Sequence, residues 1–572
     1  MPAHWLANRC LLILVLAVFG AALVAYLDYA KFAATFSKID ETSGAALASV
    51  RVRVAGLFFL TAAGIGALAW RAPSLVRAAC RTPLRATALA AAPAAALSLG
   101  TAAVFAAALG PAAGRDLAWD VAVVLLASLL TVFEGMLLLT AAPEPQAGEP
   151  KPNEPKPNEP KPNIGGLAGI RFALFLFMLA EELSRSFLPL YVRGLYTPVP
   201  GLSEALVMGM PIALFMLLAA VFTPFAGAWA DRFGTRRTLL LGTLPAVAGF
   251  AGTAAAQTLG ELLLWRGACA FGYAIMFIGA QGFVACHSRR QERARGMAQF
   301  VAAVVAAGLC GAPIGGILAD HVGPRATFAV SALLTLAAVA AVAALLPAEA
   351  PERAGQPAAT LRDYRRLLAN PRFRALLLFS SVPTKLLLTG GLFYLVPVTL
   401  HGLGETPSAI GRTMMAYGLG IVVLGPWVSR LADRTGRHAL IAGLGGLAGG
   451  AGLMAVLLDP GAAAVLAGVA ALGVAHALNN ATQLTLVPDV CRAECARIGT
   501  TGVFAIYRLL ERGGAVLGPL LAAALADRFG PPMALGALGA IGLGCAAAFC
   551  LVFVLTPAVP AGATEPAREG AP

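Results

Sequence analysis

Charged side chains lie inside several apolar segments of this 572-residue chain, where an unpaired ion is costly to bury. One such segment, near residues 168–192, contains Glu181, Glu182 and Arg185. On a helix, Arg185 is within reach of both carboxylates, so two acids compete for one base. One acid should therefore be able to exchange a proton near neutral pH, which a proton-coupled carrier requires. The alternative is a permanent ion pair that locks this helix to a neighbour.

Further polar residues inside apolar segments indicate contacts with a solute. His476, Asn480 and Gln483 fall on one helical stripe, which suits either a polar ligand or hydrogen bonds between helices. Lys385 lies about ten residues into its segment, a depth that favours an inward role over snorkelling to the membrane surface. The sequence therefore predicts two groups of functional residues, one acidic and one rich in hydrogen-bonding side chains.

The acids and bases inside the segments are unequal in number. Glu511 can reach back to Arg508, a pair that fits a structural or gating role as well as a solute contact. Three acids and five bases in all favour an anionic or zwitterionic solute over a lipophilic cation, provided that all eight face one cavity. The candidates for proton coupling are Glu181, Glu182 and Glu511. The candidates for the substrate cavity are Arg185, Arg266, Lys385, His476, Asn480, Gln483 and Arg508.

Patterns typical of enzymes and metal sites are not found in the sequence. The nine cysteines lie mostly in apolar segments, where a free thiol behaves as a small hydrophobe. Cys491 and Cys495 have a CxxxC spacing that suits neither a zinc knuckle nor a CxxC redox pair. We find no nucleophile elbow, HExxH or phosphate-loop pattern. We therefore predict that the chain is not an enzyme and has no catalytic residue, metal site or cofactor.

The composition predicts a polytopic membrane protein built from α-helices. The chain is 59% hydrophobic and 12% charged, with a mean hydropathy of +0.78. An ordinary soluble domain has about 25% charged residues, so this chain lies outside that class. The net charge of +13 does not indicate a nucleic-acid partner, because the basic residues cluster between apolar runs, as cytoplasmic loops of membrane proteins do.

Two regions precede the main body of the chain. Apolar segments near 10–29, 54–70, 86–110 and 117–141 predict a four-helix membrane region of unknown role over residues 1–145, whose first helix we interpret as an uncleaved anchor. Residues 149–163 repeat EPKPN three times. Because closely spaced prolines favour an extended polyproline II helix, residues 146–163 are predicted to form a semi-rigid linker.

Twelve further spans are predicted between residues 164 and 557. Across the whole chain, the loops on one side hold 22 Lys and Arg and those on the other hold 8, which places both termini in the cytoplasm of a multi-pass protein of the cytoplasmic membrane. The domains are a first half (164–346), an inter-half loop (347–374), a second half (375–557) and a cytoplasmic tail (558–572). The spans lie near 168–192, 205–229, 238–257, 261–285, 298–318, 326–346, 375–400, 409–431, 439–457, 462–487, 501–525 and 533–555.

An internal repeat relates the two halves. The segment 227–237, after the second span, matches the segment 429–438, after the eighth, and the segments 318–324 and 525–531 form a second pair. The offsets are 202 residues from Asp231 to Asp433 and 207 from Asp320 to Asp527. Two six-helix halves in the same orientation are a parallel repeat, whose interface is where such transporters place their substrate.

The repeated loop has the form GxxxDRxGxRR and resembles the signature loop of the major facilitator superfamily. Gly227 should let two helices approach closely, and Gly234 should permit the tight reversal between spans. Asp231 can pair with a nearby arginine as a latch that breaks when the halves rock; the alternative is a positively charged topology anchor plus a turn. The residues of this gate motif are Gly227, Asp231, Arg232, Gly234, Arg236, Arg237, Asp433, Arg434, Gly436 and Arg437.

Two more features carry the resemblance. Arg266 resembles the arginine of the family's second motif, and the fifth span resembles the Gly-Pro-rich motif of the drug–proton antiporter branch. The helix-packing residues that we assign to this motif and to its second-half counterpart are Gly311, Pro313, Gly315, Gly316, Gly518 and Pro519.

The resemblance implies an all-α fold of two parallel six-helix halves that work by alternating access, preceded here by about four extra helices. We predict a proton-coupled secondary transporter, with export by antiport preferred over uptake of an organic anion or zwitterion by symport. A membrane receptor with a transporter-like cavity is the third possibility. The expected partners are a small solute, protons and membrane lipid, without nucleic acid, and a monomer is expected to suffice.

Overall fold

The computed structural model describes residues 164–198, 200–287, 293–346 and 361–555. The predicted N-terminal membrane region, the repeat linker, the first half of the inter-half loop and the cytoplasmic tail lie outside these residues. Every regular element in the described part is helical, which confirms the predicted all-α class. The boundaries of the predicted domains stay predictions.

The described helices follow one another with short connections. Single residues, Gly234, Gly323 and Gly530, separate three of the consecutive pairs. The helices are α1 (Ile164–Glu182), α2 (Leu188–Gly194), α3 (Glu204–Phe233), α4 (Thr235–Ala255), α5 (Leu259–His287), α6 (Arg293–Val322), α7 (Pro324–Leu345), α8 (Leu361–Ala369), α9 (Pro371–Leu376), α10 (Val382–Leu386), α11 (Val396–Gly402), α12 (Pro407–Thr435), α13 (His438–Met454), α14 (Ala462–Val490), α15 (Arg492–Phe529) and α16 (Pro531–Cys550). Within α15 the chain kinks at Gly499, whose φ of 74° and ψ of 154° are not helical.

Eleven stretches of the described residues are long and apolar enough to cross a membrane. They correspond to the second to twelfth predicted spans, from Glu204–Ala230 to Pro531–Val554. The first predicted span, 168–192, is not one continuous helix, because α1 ends at Glu182 and α2 begins at Leu188. Pro189 explains the interruption, since it has no N–H to donate to the carbonyl of Arg185 and its ring crowds that carbonyl.

The seventh span, Pro371–Gly402, contains two π-helical segments, Leu377–Ser381 and Leu387–Leu395, on either side of α10. Each segment ends two residues before a proline, Pro383 or Pro397. A π-helical turn is wider than an α-helical one, so the carbonyl of the residue four positions before the proline lies farther from the proline ring. This explains why each π-helical segment lies just before a proline. Such segments are frequent at functional sites, and the sequence analysis did not predict them.

The described helices form two compact units. One contains α1–α7 together with the segment Pro397–Gly418, and the other contains the remaining described residues from Leu361. In the first unit, α1 packs against α5, α6 and α7, around a core that includes Phe177, Phe283 and Phe300. In the second, α15 packs along the π-helical part of the seventh span and α13 lies between α14 and α16.

Four turns of one kind join neighbouring helices. Each consists of Asp, two residues and Gly, at Asp231–Gly234, Asp320–Gly323, Asp433–Gly436 and Asp527–Gly530. All four glycines have positive φ, between 62° and 86°. Gly234, Gly323 and Gly530 combine this φ with ψ near 150–160°, a region that other residues essentially do not enter. Three of the four connections therefore share one backbone geometry, whereas Gly436 and Arg437 form a two-residue connection at the fourth.

Candidate functional site

A group of four charged side chains lies where α1 is interrupted. Glu181 and Glu182 are the last residues of α1, and Arg185 lies in the turn that follows. The Glu181 carboxylate accepts two hydrogen bonds from Arg266 of α5, at 2.6 and 3.3 Å. The Glu182 carboxylate accepts two from Arg185, at 3.2 and 3.3 Å. We call these four residues the charge quartet; it contains equal numbers of acids and bases.

The quartet differs from the sequence-based expectation in its pairing. We expected the two acids to share Arg185, whereas the Glu181 carboxylate has Arg266 as its closer partner and lies 3.9 Å from Arg185. Each acid therefore has its own arginine. The acids also differ in access, because the Glu181 side chain is 1% exposed and that of Glu182 is 20% exposed.

Arg266 is enclosed on all sides. Its side chain is 1% exposed, and its guanidinium carbon lies 4.8 Å from the ring centre of Phe215, a cation–π contact. One turn later, Cys269 packs against α4, where a Cβ on Gly249 would lie 2.8 Å from its sulfur. The small side chains at Gly249 and Cys269 thus bring α4 and α5 together behind Arg266. The partner of Arg266 could not be identified from the sequence, since Glu181 is 85 residues away.

The interruption of α1 is stabilised by hydroxyl groups and by close packing. Ser331 of α7 donates to the carbonyl of Ala180 at 2.8 Å, and Ser184 donates to that of Glu181 at 3.2 Å. These bonds satisfy carbonyls that the broken helix releases. On α6, a Cβ on Gly311 would overlap Glu182, and one on Gly315 would overlap the Leu183 carbonyl. The glycine motif therefore lets α6 lie directly against the turn that carries Glu182.

The second unit repeats this packing. A Cβ on Gly514 of α15 would overlap the Val382 carbonyl, and one on Gly518 would lie 2.9 Å from the Leu386 carbonyl. Gly514 and Gly518 follow Gly311 and Gly315 by 203 residues each. The predicted packing role of Gly518 thus has a structural counterpart, and Gly514, which the sequence analysis did not select, has the same kind of contact.

Neutral polar side chains form a connected network in the second unit. Gln483 of α14 donates from Nε2 to Ser380 Oγ at 3.0 Å, and the Tyr507 hydroxyl donates to Gln483 Oε1 at 3.3 Å. Tyr507 also lies within hydrogen-bond distance, 2.8 Å, of the Ser381 hydroxyl. Asn479 donates to Thr384 at 3.3 Å. Of these residues the sequence analysis selected only Gln483 as a candidate, because hydroxyl groups on a neighbouring helix give no local pattern.

A small cavity borders this network, with room for about one water molecule. Ser380, Thr384, His476 and Asn479 supply its polar lining, and glycines of α13 and α16 leave the space. Asn479 is buried, and its Oδ1 atom has no hydrogen-bond partner among the described residues. The structure therefore brings His476 and Gln483 into one region, as the predicted stripe requires, while the side chain of Asn480 lies outside the described part.

The remaining charged candidates lie at different depths. Glu511 is buried and accepts a hydrogen bond from Arg508 at 2.9 Å, whereas the Arg508 side chain is 51% exposed. Lys385 is half-buried in α10. Unlike the charge quartet, this second group does not form one closed cluster.

The gate-motif residues lie at the ends of α3 and α12 and at the starts of α4 and α13. Arg236 donates to the Ala343 carbonyl at the end of α7, at 2.5 Å. A Cβ on Gly227 would meet no atom within 4 Å, so the expected close helix approach at this residue is absent from the described structure. The side chain of Asp231 lies outside the described part. The motif residues with exposed side chains are Arg232, Arg237, Asp433, Arg434 and Arg437.

The described residues also include no group of three or more His, Cys, Asp or Glu side chains that could hold a metal ion. The acids of the charge quartet are already bonded to arginines, so they offer no ready ligand set.

Comparison with known proteins identifies the family of this architecture. The family model of the Major Facilitator Superfamily matches residues 172–510. The multidrug resistance protein MdtG of Klebsiella pneumoniae is 27% identical over 269 residues, which are 46% of this chain and 64% of that protein, so less than two thirds of MdtG is covered. Human monocarboxylate transporter 11 is 29% identical over 343 residues, 56% of this chain and 68% of that protein.

A solved structure agrees in fold. The crystal structure of the POT family transporter PepTSo has a TM-score of 0.56 with this chain at 13% identity, covering 68% of this chain and 98% of that one. At this identity the likeness concerns the arrangement of helices alone. It matches the predicted architecture of the part of the chain that follows the repeat linker.

Proposed function

Because the chain belongs to the Major Facilitator Superfamily, we propose that it is a proton-coupled secondary transporter that exports a small solute by antiport. The charge quartet is the observation that carries this proposal. Two acids where the first predicted span is interrupted, one of them partly exposed, suit a membrane protein that binds and releases protons, and ionisable groups in apolar segments usually serve function.

Glu182 is the proposed proton-coupling residue. Its carboxylate is the more accessible of the two acids, and its bonds to Arg185 are longer than the shortest bond between Glu181 and Arg266. When Glu182 binds a proton, its attraction to Arg185 weakens. Arg185 then keeps the Glu181 carboxylate 3.9 Å away, which it shares with Arg266, so the protonated quartet carries one excess positive charge.

Glu181 and Arg266 form the fixed part of the same site. Their bidentate pair is buried, and removal of either charge would leave the other uncompensated in an apolar interior. This pair therefore anchors α1 to α5 and offers Arg185 an alternative partner. Glu511 is a second candidate for proton coupling, but its partner Arg508 is half exposed and a similar alternative partner is not described there.

Export is proposed on two grounds, and uptake is the alternative. The glycine motif at Gly311 and Gly315 resembles that of drug–proton antiporters, and MdtG is named a multidrug resistance protein. Uptake of an organic anion by symport is favoured by the name of the human monocarboxylate transporter and by the basic residues Lys385 and Arg508 in the second unit. A receptor that binds a solute without moving it is the third possibility.

Proton flux in inside-out membrane vesicles tests the proposal. The vesicles are energised to an acidic lumen, and organic acids, amino acids, lysolipids and cationic drugs are added in turn. We expect at least one compound to dissipate the proton gradient with the unaltered protein and not with Glu182→Gln. Glu511→Gln is the matched control, because it also replaces a single carboxylate within a span, and it should keep solute-driven proton flux.

Each other result points to a different mechanism. If Glu182→Gln keeps the full flux and Glu511→Gln abolishes it, coupling belongs to Glu511. If protons leave the lumen only together with a preloaded solute, the protein is a symporter. If a solute binds to the purified protein but neither the solute nor protons cross the membrane, the receptor alternative replaces transport.

A further inference from the structure

A short amphipathic helix, α8 (Leu361–Ala369), precedes the seventh span on the side that the sequence assigns to the cytoplasm. Its sequence LRDYRRLLA places Asp363 and Leu367 on one face, where both are buried. Arg362, Arg365 and Arg366 fall within about 100° of one another on the opposite face, and all three are exposed. One face of α8 therefore packs on the protein and the other presents three positive charges.

Three contacts hold α8 in this orientation. Asp363 accepts a hydrogen bond from Arg497 of α15 at 2.7 Å, and Leu367 is fully buried in the second unit's core with Phe373 and Val503. Asp363 is the single acid between residues 361 and 374, and Arg497 compensates its charge. The acid therefore anchors the helix and does not neutralise the arginines of the exposed face.

Asn370 fixes the corner between α8 and the membrane span. Its Oδ1 accepts hydrogen bonds from the backbone N–H groups of Arg372 and Phe373, which caps α9. Its Nδ2 donates to the Val490 carbonyl and to Glu494 at 3.2 Å each. Pro371 begins a stretch that is long and apolar enough to cross a membrane, so this corner places α8 beside the end of that stretch, where lipid headgroups are expected.

We propose that the exposed face of α8, with Arg362, Arg365 and Arg366, is a binding site for the phosphate-bearing headgroup of an anionic phospholipid. Positive charges next to the end of a span are attracted to anionic lipid, and guanidinium groups bind phosphate through paired hydrogen bonds. Leu368, on the edge of the same face, is 37% exposed, as suits a helix that lies at the membrane interface. The buried anchors make this an oriented site, distinct from the diffuse positive charge of cytoplasmic loops.

Lipid retention by the purified full chain tests this inference. The protein in neutral detergent is titrated with phosphatidylglycerol or phosphatidylcholine, and the bound lipid is counted by native mass spectrometry. We expect preferential retention of phosphatidylglycerol and a weaker apparent affinity for Arg365→Gln/Arg366→Gln. The expected loss is about 25-fold, because each arginine near an anionic surface contributes roughly fivefold. Arg434→Gln/Arg437→Gln removes the same charge from another exposed loop and should retain most of the affinity.

A second variant separates an oriented site from general electrostatic attraction. Asp363→Asn makes the chain more positive but removes the partner of Arg497, which holds α8 in place. An oriented site then binds phosphatidylglycerol more weakly, whereas diffuse attraction would bind it more strongly. Stronger binding by Asp363→Asn, equal losses in the two double variants, or equal retention of the two lipids would each overturn the proposal. None of these outcomes depends on which solute the protein moves.

Discussion

The two units pack helices together through glycines in a similar way, but they carry side chains of opposite charge at aligned positions. In the first, Gly315 lies against the carbonyl of Leu183, and in the second Gly518 lies against the carbonyl of Leu386. Leu183 and Leu386 are 203 residues apart, as are Gly315 and Gly518, and this offset aligns Glu182 with Lys385, although Gly514 itself contacts Val382. The aligned position beside these closely packed helices is therefore acidic in the first unit and basic in the second.

The surroundings of these two residues differ as well. Glu182 belongs to a quartet in which each acid is bonded to an arginine. Lys385 follows Thr384, which belongs to a network of amide and hydroxyl groups that also contains Gln483 and Tyr507. Charged groups that compensate one another can gain and lose a proton without leaving a buried ion alone, whereas neutral groups recognise a polar partner by geometry. We expect coupling and solute recognition to be divided between the units accordingly.

The largest effect should come from the fixed pair of the quartet. Arg266→Leu leaves the buried Glu181 carboxylate without its bidentate partner, and loss of one member of such a pair costs about 3–5 kcal/mol. We expect a marked fall in the thermal unfolding midpoint in detergent. Combining Glu181→Gln with Arg266→Gln removes both charges and should restore most of the stability. A double variant no more stable than Arg266→Leu would show that the pair is not the source of the loss.

A smaller effect is expected from the glycines that support the quartet. In Gly315→Ala the new methyl group overlaps the backbone of Leu183, which cannot move aside as a side chain could. Overpacking of this kind costs about 1–3 kcal/mol. Gly308→Ala on the same helix is the matched control, because a Cβ there meets nothing within 4 Å. Thermal unfolding of the two variants measures the difference; equal midpoints would contradict the close contact.

The same pair of substitutions can be made in the second unit. Gly514→Ala places a methyl group against the Val382 carbonyl, while Gly513→Ala, one residue earlier, fills open space. If the helices of the two units pack in the same way, Gly514→Ala should have a lower unfolding midpoint than Gly513→Ala. The difference should be similar to that between Gly315→Ala and Gly308→Ala. A difference in unfolding midpoint in only one unit would show that the two units do not pack their helices in the same way.

The smallest effect should come from the neutral network. Gln483→Leu removes the donor to Ser380 and the acceptor for Tyr507, and each buried hydrogen bond contributes about 1 kcal/mol. Tyr507 keeps its contact with Ser381, which limits the loss. In vesicles we expect a higher KM for the solute with an unchanged number of protons per solute. A changed proton stoichiometry would place coupling in the second unit as well.

Prediction from the sequence succeeded where the signal is local. The eleven continuous spans lie close to their predicted bounds, since a run of about 20 apolar residues is visible in any chain that crosses a membrane. The reach of Arg185 to the carboxylates one turn earlier was also visible locally, but the assignment of Glu181 to Arg266 was not. The interruption of α1 was missed, because the apolar pattern continues through it and the effect of Pro189 appears only as a change of backbone geometry.

What the sequence by itself determined is the architecture: apolar length, basic loops and the repeated Asp-x-x-Gly turns define a helical membrane protein with an internal repeat. What only the tertiary structure decided is the partner of each polar residue. Glu181 and Arg266 are 85 residues apart, and Gln483 is 103 residues from Ser380. A helix presents several faces, and the faces that meet are selected by close packing at residues such as Gly315 and Gly518. That packing sums contacts from many helices, so no local pattern encodes it.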